Sequence, residues 1–319
     1  MDKEGAREMA ERVRIAGMDV GKQYLVIDSP ALGVSVGVTN DTRGHEALLA
    51  WCAEHQVAVV ALEASGGYER AVAVRLRDAG VIVRCLNPLR VRRFAQARGK
   101  LAKNDRVDAC TIALYAEAFA DERVAVPQDN RRVSLREHLL VRVQTLDVIS
   151  TIISQLEHIH ERSLRAMLQA RLQGLKRSLV ALDRRIAKLV ASTPDLAALA
   201  DRLRSVPGVG PVLAHSLLAL LPELGHLTRR QVASLAGVAP FDDDSGKRRG
   251  ARQIDGGRAG LRRVLYMAAL VAKRRNPEIR TFAERLKGKP GKAIITACMR
   301  KLIVILNAIA RDGTVWQPI

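Results

Sequence analysis

Aromatic side chains are scarce, at 3% of 319 residues. A core built from this chain must be filled by aliphatic residues and Ala, which the 48% hydrophobic content supplies. Cysteine is nearly absent. Cys52, Cys85, Cys110 and Cys298 lie far apart and form no CxxC pair, which disfavours a zinc knuckle or a disulfide framework and fits a reducing cytoplasm. No apolar run approaches the roughly 20 residues that span a bilayer, and the opening MDKEGAREMAERVR is too polar for a secretory signal. The expectation is a cytoplasmic protein with no membrane partner. No GxxxxGK[ST] loop occurs, so no nucleotide-phosphate cradle of that type is expected.

Acid is missing in one place. Residues 246–319 hold 18 Lys+Arg against 4 Asp+Glu, whereas residues 1–130 hold 18 of each. The whole chain carries a net +19. A soluble protein this basic meets a polyanion, and nucleic acid is the first candidate. The local excess implies a near-neutral first module and a basic module that grips nucleic acid.

Residues 13–40 are rich in Val and Ile and are punctuated by Gly17, Gly21, Ser29-Pro30 and Gly33. They read as three short strands joined by tight turns. Residues 42–55 read as a helix, VAVVALE (57–63) as a strand buried on both faces, 68–79 as a helix and 81–87 as a strand. This order indicates an α/β domain with a mixed sheet over 13–130, after a tail of residues 1–12. No proline interrupts the chain between Pro127 and Pro194, and Leu172, Leu175, Leu179, Leu182, Ile186 and Leu189 alternate steps of three and four. Residues 131–199 therefore read as long helices, paired as a coiled coil or packed as a bundle. Residues 200–319 read as a third, helical domain interrupted by the polar stretch FDDDSGKRRGARQIDGGRAG, expected as a loop.

Four acids stand out by placement. Asp19 sits near the end of one apolar strand and Glu63 ends another, while Asp105 and Asp108 lie three apart on one face of a predicted helix. An acid ending an apolar strand is costly unless paired, exposed or metal-bound. Such a set suits divalent metal chemistry on phosphodiesters. Singly, Asp19 also reads as a turn former and Asp105 as a helix cap.

Ser245 stands in DDDSGKRRGAR. Lys247, Arg248, Arg249 and Arg252 are suited to holding phosphates, and a serine beside them is placed to attack phosphorus. No His lies nearby to activate it. On the residues alone Ser245 reads first as a turn residue. Pro207-Gly208-Val209-Gly210 has the form of a helix-hairpin-helix turn. Gly208 and Gly210 would there aim backbone N–H groups at phosphate, unless the turn is a plain connector.

MDVGK (18–22), EASGGY (63–68), NPLRVRRFAQARG (87–99) and AKNDRVDA (102–109) resemble the amino-terminal domain of the DEDD transposases of the IS110 group. SVPGVGPVLAHSLLALLPELG, ASLAGVAPFDDDSG and GRAGLRRVLYMAALVA resemble that group's carboxy-terminal domain. The group includes the pilin-gene inverting recombinases. The resemblance implies a RuvC-like, RNase-H-type first domain, with Mg²⁺ (or Mn²⁺) held by Asp19, Glu63, Asp105 and Asp108. It implies that Ser245 is a nucleophile forming a covalent phosphoserine link to DNA. It further implies a structured guide RNA as partner, dimers that pair into a tetramer, and an active site composed from two protomers. Arg262 and Arg263 join the basic residues above as expected phosphate contacts. Two other readings stay open: a RuvC-like nuclease or junction resolvase that uses water, and a non-catalytic nucleic-acid-binding protein.

Overall fold

A computed structural model describes residues 13–99, 104–120, 130–241, 244–245, 248–250 and 252–318. The predicted tail over residues 1–12 lies outside the described residues. The chain divides into two compact units, residues 1–125 and 126–319.

The first unit opens with β1 (Ile15–Val20), β2 (Tyr24–Ser29) and β3 (Val34–Thr39). There follow α1 (Thr42–Glu54), β4 (Val59–Glu63), α2 (Glu69–Asp78), β5 (Ile82–Leu86), α3 (Pro88–Ala97) and α4 (Asp105–Ala118). The strands form one sheet in the order β3-β2-β1-β4-β5. β1 and β3 each pair antiparallel with β2, and β1, β4 and β5 run parallel. A meander of three strands followed by two crossover strands is the RuvC-like, RNase-H-type arrangement.

Alternation along the two central strands separates two cores. Ala16, Met18, Val20, Val60 and Leu62 pack with Leu48, Trp51 and Cys52 of α1 and Val72, Ala73 and Leu76 of α2. Ile15, Val59, Ala61 and Leu86 pack on the other face with Val91 of α3 and Ile112, Tyr115 and Ala116 of α4. Each wholly buried Met or Leu here contributes roughly 1.5–3 kcal/mol of transfer free energy. Both central strands are thus covered on both faces, which explains the near-continuous apolar run of VAVVALE.

Gly17 is not a strand break. It lies inside β1, opposite Asp28 of β2 and Ala61 of β4. A Cβ at Gly17 would overlap the Ala109 carbonyl oxygen and the Ala113 nitrogen of α4. The missing side chain is what lets that helix lie directly on the strand. At the far end of α4, the buried Arg84 of β5 donates to Ala116 O at 2.8 Å and Phe119 O at 2.5 Å. A cation on the last carbonyls of a helix is favoured by the helix dipole.

The second unit begins with α5 (Asn130–His158) and α6 (Arg162–Ala191). They fold back on each other within the chain. Ile149 and Ile152 meet Leu168 and Leu172 near the turn, and Leu135 and Leu139 meet Ile186 and Val190 at the base. The base shares its core with α7 (Pro194–Arg204) and α8 (Pro211–Leu220). Then come α9 (Arg229–Leu235), four two-residue strands, α10 (Ala259–Arg275), α11 (Pro277–Glu284) and α12 (Gly291–Asp312). By length and composition α12 and residues 131–158 could each cross a membrane. In α12 that apolarity is core: Cys298, Leu302, Ile303 and Leu306 are wholly buried among α8, α9 and α10 residues. None of the four cysteines is in a disulfide, and burial pushes the Cys52 thiol up to about 11.

The Gly17 contact makes a direct prediction. Gly17→Val overpacks the β1–α4 contact at a cost of about 1–3 kcal/mol or more. Gly37→Val, on β3 with nothing nearer than 4.0 Å to an added Cβ, serves as the control. Chemical denaturation of the full chain should show a lower midpoint for the first variant and a near-native one for the second. Equal midpoints would contradict the account.

Candidate functional site

Register brings two of the four acids together. Met18 pairs with Leu62 across the parallel β1–β4 ladder, and Asp19 and Glu63 are the next residues on each strand. Parallel neighbours stand about 4.8 Å apart. By alternation both acids lie on the face that α4 covers, and both are half-buried.

Asp105 and Asp108 lie in the first turn of α4. The cap itself is Asn104, whose side chain accepts from the Val107 N–H at 2.8 Å. Asp105 is therefore the first helical residue and not the cap. The unsatisfied N–H groups of a first turn favour negative charge, which offsets the repulsion between acids three apart. Asp108, half-buried, directly precedes Ala109, the residue whose carbonyl meets Gly17. Asp105 is exposed. Among the described residues no three of His, Cys, Asp and Glu stand close enough to hold a metal ion. The acids stand as a strand pair and a helix pair, all of them oxygen donors, and not as one closed ligand set.

The segment after Glu63 is ordered by a residue the sequence reading passed over. Glu69 Oε2 accepts from the Ser65 N–H at 3.1 Å, the Ser65 hydroxyl at 3.2 Å and the Gly67 N–H at 2.8 Å. Gly66 (φ +74°) and Gly67 (φ +110°) supply the left-handed turn this requires. A serine two residues past Glu63 and a glutamate four beyond it were the available signal. Gly17 and Arg84 show in the sequence only as a lone glycine and a lone charge inside apolar strands, without the helix that each meets.

The stretch holding Ser245 is not a loop but a β-hairpin finger. β6 (Pro240–Phe241) pairs antiparallel with β9 (Gln253–Ile254), and β7 (Asp244–Ser245) with β8 (Arg248–Arg249). Ser245 is opposite Arg248, and Asp244 is opposite Arg249. Ser245 is thus the last residue of β7. Lys247, Asp242 and Asp243 lie outside the described residues. Arg252 is exposed near the base.

The remaining predicted contacts are placed as follows. Gly208 (φ +100°) packs on α10, where a Cβ would come 2.6 Å from the Ala272 α-carbon. Gly210 is the exposed N-cap of α8, with open space beside it. Arg262 donates to the carbonyl oxygens of Gly237 at 3.2 Å and Gly256 at 2.9 Å. Arg263 pairs with Asp147 of α5 at 2.6 Å, and both are exposed.

Two family models match the chain. One, described as transposase and of the DEDD IS110 type, matches residues 16–167. The other, described as transposase of the IS116/IS110/IS902 family, matches residues 200–284. A pilin gene-inverting protein of Moraxella bovis is 28% identical over 299 residues, covering 86% of this chain and 88% of the relative. A 43.6 kDa protein of insertion element IS110 from Streptomyces coelicolor is 31% identical over 141 residues, 43% of this chain and 34% of its own. Among solved structures, T. thermophilus RuvC in complex with a Holliday junction substrate overlaps 34% of this chain and 96% of its own, at 20% identity and a TM-score of 0.29. The strand order, not that overlap, defines the fold.

The Glu69 contacts carry a pH signature. Burial alone would raise its pKa, but hydrogen bonds from the N–H groups of Glu69, Gly67 and Ser65 and from the Ser65 hydroxyl hold it below the usual value. A depressed carboxyl gives stability that is present above the unfolded value near 4.5 and lost as pH falls through the folded one. Urea unfolding at pH 6 and pH 3 should show a smaller acid-induced loss in Glu69→Gln than in the wild type. An identical loss would show that these bonds do not hold the loop.

Proposed function

The chain belongs to the IS116/IS110/IS902 family of insertion-sequence transposases, enzymes of DNA recombination, and from that premise we propose that it cuts and exchanges DNA strands through the acids of its first unit and Ser245 of its second. The observation that carries this reading is the pair Asp19 and Glu63, side by side on the central strands beneath the helix whose first turn holds Asp105 and Asp108.

Those four carboxylates are the residues that would hold a divalent cation, Mg²⁺ or Mn²⁺. Bound there, the ion supplies Lewis-acid stabilisation of a phosphodiester displacement. The carboxylates also accept hydrogen bonds and protons from a hydroxyl brought to them. The place of Ser245 beside a finger tip suits a nucleophile that must reach a DNA backbone. Its hydroxyl oxygen attacks phosphorus and loses its proton to a general base. One phosphorus–oxygen bond forms, the bond to one strand end breaks, and that end leaves as a hydroxyl. A phosphodiester is exchanged for a phosphoserine diester. A second strand's hydroxyl can then reverse the step on a new partner, so the reaction needs no nucleoside triphosphate.

The proposal includes a structured guide RNA that pairs with donor and target DNA and so carries the sequence reading, as base pairing does in other RNA-guided systems. It also includes dimers that pair into a tetramer. The basic surface of residues 246–319 supports both nucleic-acid partners through sequence-independent phosphate attraction.

Ser245→Ala should abolish recombination of a reporter carrying the element and its native flanks, with the unfolding midpoint unchanged. Asp108→Asn should abolish strand cleavage in the same system. Recombination retained by Ser245→Ala would remove the serine mechanism and leave the water-using nuclease. Full cleavage by Asp108→Asn would reject the acidic site as drawn.

A further inference from the structure

The finger leaves the helical core and returns to it through one narrow neck. Gly237 (φ +68°) and Gly257 (φ +69°) meet there backbone to backbone. A Cβ on Gly257 would overlap the Gly237 nitrogen and α-carbon. One on Gly237 would come 2.6 Å from both the Gly256 carbonyl oxygen and Arg262 Nη1. Arg262 spans this contact, donating through Nη1 to one carbonyl on each arm, Gly237 and Gly256.

The neighbouring arginine fastens the neck to the core. The Arg258 N–H donates to Leu235 O at 2.8 Å. Its guanidinium donates to Leu220 O at 2.5 Å and to both oxygens of Glu223 at 2.8 and 2.7 Å. Burial alone would raise the Glu223 pKa, but the Arg258 hydrogen bonds and charge hold it below the usual carboxylate value. Val238, Leu261 and Leu265, which flank the neck in sequence, are wholly buried.

We infer that Arg262 is a positioning residue for Ser245 and not a phosphate contact: by bridging the two arms at the neck it fixes where the finger tip stands. The inference rests on the reading of Ser245 as the nucleophile. The finger has only two two-residue ladders of its own, and an isolated two-stranded hairpin is marginal in water. Its direction must therefore be set at its base. A tilt at that base displaces Ser245 with it. A misplacement of about 1 Å in a reacting group can cost about a hundredfold in rate. Both Nη1 hydrogens of Arg262 point to these two carbonyls, which holds the guanidinium in the neck while Nε and Nη2 remain as donors.

Arg262→Met keeps the apolar stem and removes both bonds. Arg262→Lys keeps the charge but presents a compact ammonium in place of the fork. Three readouts on the full chain separate the roles. Hydrogen exchange of amides 238–256 reports the neck. Binding to a random-sequence duplex across salt concentrations reports phosphate contacts. Denaturation-resistant protein–DNA adduct, formed with the native flanking DNA, reports the serine step. We expect both variants to raise finger exchange and lower adduct yield at least tenfold, with duplex affinity within about twofold and the salt slope unchanged. A salt slope reduced by about one in Arg262→Met, restored in Arg262→Lys, with exchange unchanged, would make Arg262 a phosphate contact. Faster exchange with full adduct yield would also overturn the inference. Adduct retained by Ser245→Ala would instead remove the nucleophile reading, and finger exchange would still report whether Arg262 closes the neck.

Discussion

Everything in the first unit is arranged around one close approach, the backbone of α4 against β1 at Gly17. A helix on a sheet normally rides on side chains from both. Here a single missing Cβ lets the Ala109 and Ala113 backbone sit on the strand itself. That contact fixes the helix laterally, and Arg84 holds its last carbonyls from β5. The acids in its first turn are then carried by a helix held at its middle and at its end. The strand acids need no comparable device, because the β1–β4 register alone sets Asp19 beside Glu63.

The second unit solves a related problem with similar means. A hairpin of two two-residue ladders has little structure of its own to hold it. Glycine backbones in contact and an arginine bridging two carbonyls give the hairpin a defined root. In both units a glycine marks the place where backbones touch, and an arginine donates to nearby carbonyls.

Much of this was legible in the sequence, because periodicity is a local property. The five strands and the helices between them follow from Val- and Ile-rich runs punctuated by Gly and Pro. The proline-free stretch with its leucine stripe gave two long helices, which pair within the chain as an antiparallel hairpin. What could not be read was whatever depends on a distant partner. Gly17 read as a break because nothing nearby announces that α4 will lie on it. The segment around Ser245 read as a loop because its Asp, Gly and Arg content hides two very short ladders. The charge of Arg262 is visible in the sequence, whereas the Gly237 and Gly256 carbonyls that its Nη1 meets are not. Asp105 read as a possible cap until Asn104 was seen to fill that position.

The central claim is that this transposase joins itself to DNA through Ser245. The most direct test is to trap the reaction in cells expressing the wild-type protein with its native flanking DNA, digest the denatured sample with nuclease and protease, and locate the modified peptide by mass spectrometry. The account predicts a nucleotide remnant on the peptide containing Ser245, attached through its hydroxyl. Cleaved DNA ends with no nucleotide on any peptide would contradict it, as would a remnant carried by a different residue.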